Sequence, residues 1–233
     1  MKYKALFFDL DDTLWAFSQN AEETFREIYA RFHFGRYFIS FRDFYSLYQE
    51  KNKEMWAAYA KGEVDRITLN QERFKYPLER VGVYDTDLVC SYSAVFFERI
   101  AQHSRLMPGA KQTLEKLKVQ FPLYIISNGF RELQFKKMDS AGIASFFKGV
   151  FLSDDIGYHK PHPAIFKKAL DVAGVAPHEA IMIGDNWVAD IKGAQESGMD
   201  QIYIGVQQEN DLGIEPTHRI HRLDELPHLL LLD

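Results

Sequence analysis

Ala5-Leu-Phe-Phe-Asp9-Leu-Asp11-Asp-Thr13-Leu14 is the stretch from which the rest of this chain can be understood. An apolar run stops abruptly at two carboxylates with one residue between them. Continuous apolar character over Lys4 to Leu10 predicts a strand buried on both faces, as in a parallel sheet, with Phe7 and Phe8 in the core. The acids then fall at the carboxyl edge of that strand, where open α/β sheets bind their ligands. Two adjacent carboxylates repel each other and cost stability unless something compensates. A divalent cation is the simplest compensation, so the stretch predicts a Mg²⁺ site that handles phosphate.

The bulk properties narrow the field. The chain has 233 residues, 46% of them hydrophobic and 26% charged, with a formal net charge of −5. That size suits one large domain or a domain with an insertion. Without a basic excess there is no counterion release to drive binding, so a nucleic-acid polymer is not an expected partner. No apolar run approaches the roughly 18 residues of a membrane span, and no leader pattern precedes the first strand. The single cysteine, Cys90, excludes an intrachain disulfide and fits a reducing compartment, so a cytoplasmic location is expected. Cys90 itself reads as a small buried apolar side chain on a helix.

Texture changes twice along the chain. From about Trp15 to Ile100 it is helical, with candidates at Ser18 to Phe32, Phe41 to Ala60, Thr68 to Val81 and Asp85 to Ala101. Asp85 or Thr86 would cap the last, Thr68 the third, and Gly35, Gly62 and Gly82 punctuate them. After Met107-Pro108-Gly109 strands and helices alternate. Strands are expected at Leu123 to Ile126, Val150 to Leu152, Ala180 to Ile183 and Gln201 to Ile204. Helices are expected at about Arg131 to Ser140, Pro163 to Ala173 and Val188 to Ser197. The Leu229 to Leu232 run reads as a terminal helix docked on the sheet. This alternation predicts a parallel, Rossmann-like α/β sheet with right-handed crossovers. Residues 1–14 and 104–233 would form that core, and 15–103 an inserted all-helical cap.

More strand ends carry polar residues suited to the same site. The second ends at Ser127-Asn128-Gly129, a hydroxyl followed by backbone N–H groups turning into a helix, an arrangement that favours an anion. The third leads towards Lys160-Pro161, whose ammonium can reach phosphate and offset crowded carboxylates. The fourth ends at Gly184-Asp185-Asn186, with Asp190 one helical turn on. Asp185 can complete a metal site with Asp9 and Asp11, and few carboxylates plus a substrate oxygen suit Mg²⁺. Thr13 joins the phosphate-binding candidates.

Taken in order, Asp9-Leu-Asp-Asp-Thr13, Ser127-Asn, Lys160-Pro and Gly184-Asp-Asn-Trp-Val-Ala-Asp190 resemble the four motifs of the haloacid dehalogenase superfamily. The likeness spans the whole chain, and the helical insertion resembles the type-1 cap. It implies a Mg²⁺-dependent phosphatase for small phosphomonoesters. Asp9 would be the nucleophile that becomes an aspartyl-phosphate, and Asp11 the general acid and later base. The Asp11 backbone carbonyl would also ligate Mg²⁺. Ser127, with Asn128 and Gly129 behind it, and Lys160 would hold the phosphoryl group. Asp185 would bind metal, with Asp190 and Asn186 in support. Members that cleave carbon–halogen bonds lack an aspartate where Asp11 stands, because a halide leaves without a proton and an alkoxide does not. Asp11 therefore argues for a phosphatase.

The inserted segment would choose the substrate. Trp56, Tyr59, Gly62 and the Arg73-Phe74 pair are similar in spacing to the cap of pyrimidine 5′-nucleotidases in this superfamily, as is the run Ser127-Asn-Gly-Phe-Arg-Glu-Leu-Gln. That implies nucleoside 5′-monophosphates, with aromatics stacking on the base. The same aromatics also suit a helical core, as Phe25, Tyr29, Phe44, Leu47 and Tyr48 do. Arg73 suits either a substrate contact or an ion pair within the insertion. A sugar or glycolate phosphatase, a phosphosugar mutase and a non-catalytic phosphate-binding protein remain alternatives. A monomer or homodimer is expected. His159 and His162 read as surface-loop residues, Asp154 and Asp155 as solvated loop acids, and Glu22-Glu23 and Lys136-Lys137 as solvated helix faces.

Overall fold

The computed structural model describes residues 2–205 and 213–231. Two compact units emerge, one from Met1–Phe17 and Ser104–Asp233, the other from Ser18–His103. The first boundary lies three residues beyond the expected one. Trp15 is fully buried in the first unit, its N–H donating to Leu10 O, and Ala16 N–H donates to Arg105 O.

The first unit opens with β1 (Ala5–Phe8), all four residues buried. The intervening helices α1 (Phe17–Arg31, from Ser18 on), α2 (Phe41–Ala60), α3 (Arg66–Arg80) and α4 (Thr86–Ile100) belong to the second unit. The chain then continues through α5 (Ala110–Leu117), β2 (Leu123–Ser127), α6 (Arg131–Ser140), β3 (Phe147–Leu152), α7 (Ser153–Ile156) and α8 (Pro163–Ala173). It ends with β4 (Ala180–Gly184), a π-helical turn over Trp187–Lys192, α9 (Gly193–Glu196), β5 (Asp200–Ile204), β6 (His218–Ile220) and α10 (Leu226–Leu231).

The six strands form one parallel sheet in the order β3-β2-β1-β4-β5-β6. This is the α/β architecture the apolar runs predicted. β1 lies at the centre, with Phe8 opposite both Ile125 and Ile183. The order reverses on either side of it, so the carboxyl end of β1 opens at a topological switch point. Phe7, Ile126, Phe166, Ala169 and Met182 belong to one buried cluster.

The helical unit is built around aromatic rings. Phe25 lies 4.1 Å from Tyr48, 4.8 Å from Phe96 and 5.8 Å from Phe44, centroid to centroid. Tyr29 is only half-buried. Asp65, rather than Thr68, caps α3; its carboxylate accepts from Thr68 N–H at 2.7 Å. Asp85 caps α4, accepting from Leu88 N–H at 2.9 Å. Cys90 is exposed, contrary to expectation. The buried face of α4 carries Tyr92, Phe96 and Ile100 at four-residue intervals, and Cys90, two before Tyr92, lies on the opposite side.

Other departures have physical causes. The expected helix Val188 to Ser197 is a π turn followed by one α turn. A Cβ on Gly193 would lie 2.6 Å from Phe166 and 2.9 Å from the Pro161 backbone, so close packing sets the backbone path there. The sequence pattern gave no notice of α5 or β6. The terminal helix starts earlier than expected, burying Leu226 and Leu230, and Leu232 lies outside the described residues. No helix among the described residues is long and apolar enough to cross a membrane.

Candidate active site

Asp9 follows β1 directly, and its N–H donates to Ile183 O at 2.9 Å, which fixes it between β1 and β4. Lys160, only 2% exposed, reaches it from the loop before α8. The ammonium donates to Asp9 Oδ1 at 2.6 Å, to Asp190 Oδ1 at 2.7 Å and to the Ile126 carbonyl at 2.7 Å. All three ammonium protons are thereby used. Asn128 holds this loop in place. Its Nδ2 donates to Lys160 O at 2.9 Å, and its Oδ1 accepts from Lys160 N–H at 2.7 Å.

Asp185 stands at the end of β4, its Oδ1 accepting from Thr13 Oγ1 at 2.8 Å. Asp190 is fully buried, with Oδ1 on Lys160 and Oδ2 accepting from Asn186 N–H at 3.0 Å. Asn186 caps the π turn, its side-chain oxygen accepting from Val188 and Ala189 N–H. Gly184 leaves room for this arrangement: a Cβ there would lie 2.3 Å from Asp190 Oδ2.

Carboxylate oxygens of Asp9, Asp185 and Asp190 lie within 4.8 Å of one another. Burial, above all, pushes the Asp9 carboxyl well above the usual range; Lys160 opposes this, and Asp190, Asp185 and Asp11 add to it. Burial first, then the Asp190 charge, carries Asp185 up to about 7, with the Thr13 hydrogen bond opposing. Burial alone would depress the Lys160 ammonium, but Asp190 and Asp9 hold it above its ordinary value. One lysine therefore does not satisfy the cluster. Asp9 Oδ2 and Asp185 Oδ2 accept no hydrogen bond among the described residues, whereas both oxygens of Asp190 are engaged. Hard oxygen donors with excess negative charge fit a divalent cation of the Mg²⁺ class.

The Asp11 carboxylate is directed elsewhere, towards α6. Its Oδ1 accepts from Lys137 Nζ at 2.7 Å and its Oδ2 from Gln134 Nε2 at 2.8 Å. Ser127 Oγ accepts from Gln134 Nε2 at 2.7 Å and from Gly129 N–H at 3.2 Å, leaving its own proton to donate. Gly129 has to be a glycine, since a Cβ would fall 2.2 Å from Gln134 Nε2. Lys137, expected on a solvated face, is in fact 2% exposed, while Lys136 does face solvent. Sequence reasoning passed over both Lys137 and Gln134. Their i, i+3 spacing on the helix that follows the Ser127 motif was the available signal.

His159 is half-buried, and burial lowers its pKa with Asp154 opposing. Asp154 and Asp155 are exposed and bind Arg131 through its backbone N–H and guanidinium.

The remaining candidates belong to the helical unit. Trp56 and Tyr59 meet edge to face at 5.7 Å. Gly62 follows α2 at φ 74°, its N–H donating to Tyr59 O, which ends the helix. Arg73 is buried and lies 5.8 Å from the Trp56 ring. Its guanidinium donates to Asn52 Oδ1 at 2.9 Å and Asn70 Oδ1 at 2.6 Å, and no carboxylate pairs with it among the described residues. Burial depresses its pKa.

The sequence signature of haloacid dehalogenase-like hydrolases matches residues 3–198. The chain belongs to this family. HAD-hydrolase YfnB of Bacillus subtilis is 31% identical over 100% of this chain and 97% of its own length. The crystal structure of YfnB bound to magnesium superposes with a TM-score of 0.87 at 29% identity, covering 100% of both chains. Pyrimidine 5′-nucleotidase YjjG of Escherichia coli is 30% identical over 99% of each chain. Glyceraldehyde 3-phosphate phosphatase of Pyrococcus furiosus is 32% identical over 98% of this chain and 92% of its own. This chain is accordingly a hydrolase of that family.

Proposed function

We propose that this hydrolase is a Mg²⁺-dependent phosphatase of small phosphorylated metabolites that works through an aspartyl-phosphate on Asp9. One observation carries the proposal. Asp9 Oδ1 is tied to Lys160 while Oδ2 accepts no hydrogen bond, so a single oxygen is aimed and available. A restrained carboxylate beside a buried ammonium suits attack on phosphorus, where positioning and charge stabilisation do most of the catalysis.

In this reading Asp9 Oδ2 forms a bond to phosphorus as the ester P–O bond breaks. Asp11 gives a proton to the departing oxygen and later takes one from the hydrolytic water. Ser127 Oγ–H donates to a phosphoryl oxygen, and the Lys160 ammonium, its protons already engaged, supplies positive charge beside the phosphoryl group, with Thr13 orienting Asp185. Asp9, Asp185 and the Asp11 backbone carbonyl would hold Mg²⁺, which when bound supplies positive charge to the phosphoryl group. Asp190 and Asn186 keep Lys160 and the loop after β4 in position.

Nucleoside 5′-monophosphates are the substrates we favour, with Trp56, Tyr59, Gly62 and Arg73 of the helical unit setting the preference. The nucleotidase among the relatives and the matching spacing of these residues support that choice. The test is phosphate release from pyrimidine and purine 5′-monophosphates, glyceraldehyde 3-phosphate, phosphoserine and hexose phosphates, each with Mg²⁺ and with EDTA. Release that needs Mg²⁺ and concentrates on nucleotides supports both parts. Equal turnover of sugar phosphates discards the nucleotide preference, and turnover that survives complete chelation discards the metal.

A further inference from the structure

Asp11 stands in an unusual setting for a side chain that is 28% exposed. Each of its carboxylate oxygens is engaged by a different buried donor from one helix. Lys137 and Gln134 lie one turn apart on α6, 2% and 0% exposed respectively. Burying an ammonium is costly, and Lys137 offsets the cost with one carboxylate and two aromatic faces. Its Nζ lies 4.8 Å from the Trp15 ring centroid and 4.9 Å from that of Phe17. Gln134 is in a costly position as well. Its Oε1 is buried without a partner, while Nε2 bridges Asp11 Oδ2 and Ser127 Oγ. Leaving a buried carbonyl unpaired costs about 1–3 kcal/mol, which makes sense where the other end of the amide is needed.

We infer that Lys137 and Gln134 are positioning residues that hold the Asp11 carboxyl in one orientation for proton transfer to the leaving group. The inference rests on the reading of Asp11 as general acid. As Asp9 Oδ2 bonds to phosphorus, the ester P–O electron pair departs on the bridging oxygen. That oxygen takes the Asp11 proton, and Asp11 is left as a carboxylate. The clamp fixes Asp11 from two sides, and misplacing a reacting group by about 1 Å can cost about 10²-fold in rate. Through Gln134 the same clamp fixes Ser127, tying the leaving-group side of the site to the phosphoryl side.

The experiment compares two leaving groups with the full-length enzyme at saturating Mg²⁺. From a nucleoside 5′-monophosphate the nucleoside leaves as an alkoxide and needs the proton; from p-nitrophenyl phosphate a stabilised p-nitrophenoxide leaves and does not. Lys137→Met should lose about 10²-fold in kcat on the nucleotide, the range for misplacing a reacting group, and about tenfold or less on the aryl ester. KM should change little on either. Gln134→Leu should show the same selectivity with a smaller loss, and it serves if Lys137→Met fails to fold by thermal melting. On an Asp11→Asn background, Lys137→Met should add nothing.

Equal losses on both substrates, or losses additive with Asp11→Asn, would mean that Lys137 merely supports the fold, and would overturn the inference. Asp11→Asn measured alone separates the two layers. If it spares the aryl ester while Lys137→Met does not, only the clamp fails. If it is itself indifferent to the leaving group, the general-acid reading falls and the clamp with it.

Discussion

Replacing Asp185 with Asn should stabilise the metal-free protein at neutral pH and blunt its response to Mg²⁺. Burial, then the charge of Asp190, raises the Asp185 carboxyl from 3.8 to about 7. Between those values the folded chain keeps a proton that the unfolded chain has released. The stabilisation linked to this group is complete below about pH 4 and is lost as pH rises through about 7. At 1.36 kcal/mol per tenfold the full difference is about 4 kcal/mol, and solvent access to the half-buried group reduces it to roughly 2–4. A chain of this length moves about 2–4 °C in Tm per kcal/mol, so the effect is roughly 4–16 °C. The Asn side chain retains an oxygen to accept from Thr13, so the substitution removes charge and little else.

The assay is a thermal melt of both proteins in EDTA from pH 4.5 to 8, repeated at pH 8 with Mg²⁺. In EDTA the variant should gain on the wild type as pH rises. Mg²⁺ at a hundred times its Kd should restore about 2.7 kcal/mol to the wild type and distinctly less to the variant. A gap in Tm that stays flat with pH, or equal Mg²⁺ shifts in the two proteins, would refute the electrostatic account of the cluster.

Asp9→Asn should reduce phosphate release by on the order of 10⁴-fold or more while the protein melts no lower than wild type; near-normal turnover in a folded variant would end the nucleophile assignment. Lys160→Met leaves Asp9 and Asp190 buried without their shared cation, so it should cost about 3–5 kcal/mol, or roughly 6–20 °C in Tm. Adding Asp190→Asn should recover part of that loss, and a single variant melting with the wild type would contradict the buried network. Gly184→Ala puts a Cβ 2.4 Å from Asp190 Cγ and should destabilise by about 1–3 kcal/mol, measured by urea denaturation.

Much of this molecule was legible because it is written in apolar runs that end in acids. Ala5 to Phe8 and Ala180 to Gly184 are fully buried strands, and a run with no polar alternation has few other uses in a chain of this size. The acids were legible at the same places because a buried strand that stops at a carboxylate has a reason to stop there. Lys137 was not legible. Next to Lys136 it reads as one of a pair on a wet helix face, yet neighbours on a helix point about 100° apart. Only Lys137 shares a face with Gln134, and only the fold brings Asp11 to that face. Cys90 failed in the opposite sense: composition favours burial, but its position relative to Tyr92 and Phe96 turns it outward. Arg73 shows a third limit. Its partners, Asn52 and Asn70, are neutral and come from two helices, so no charge pattern announces them.

The two acids of the opening stretch differ in environment although one residue separates them. In a continued strand Asp9 and Asp11 would share a face and would compete for one cation. The strand ends at Phe8, however, and Asp12 takes up a left-handed φ of 59°, with its N–H donating to Trp15 O. That turn frees Asp11 from the sheet. Asp9 stays between the strand ends against Lys160, deep and with one unengaged oxygen, whereas Asp11 reaches α6, where Lys137 and Gln134 engage both of its oxygens. Acid and base chemistry from two identical side chains requires such a separation of surroundings. A single buried lysine shared by both acids would have left them interchangeable. In the proposed mechanism, supplying each with its own lysine, from different elements of the same unit, would let one act on phosphorus while the other attends to the leaving oxygen.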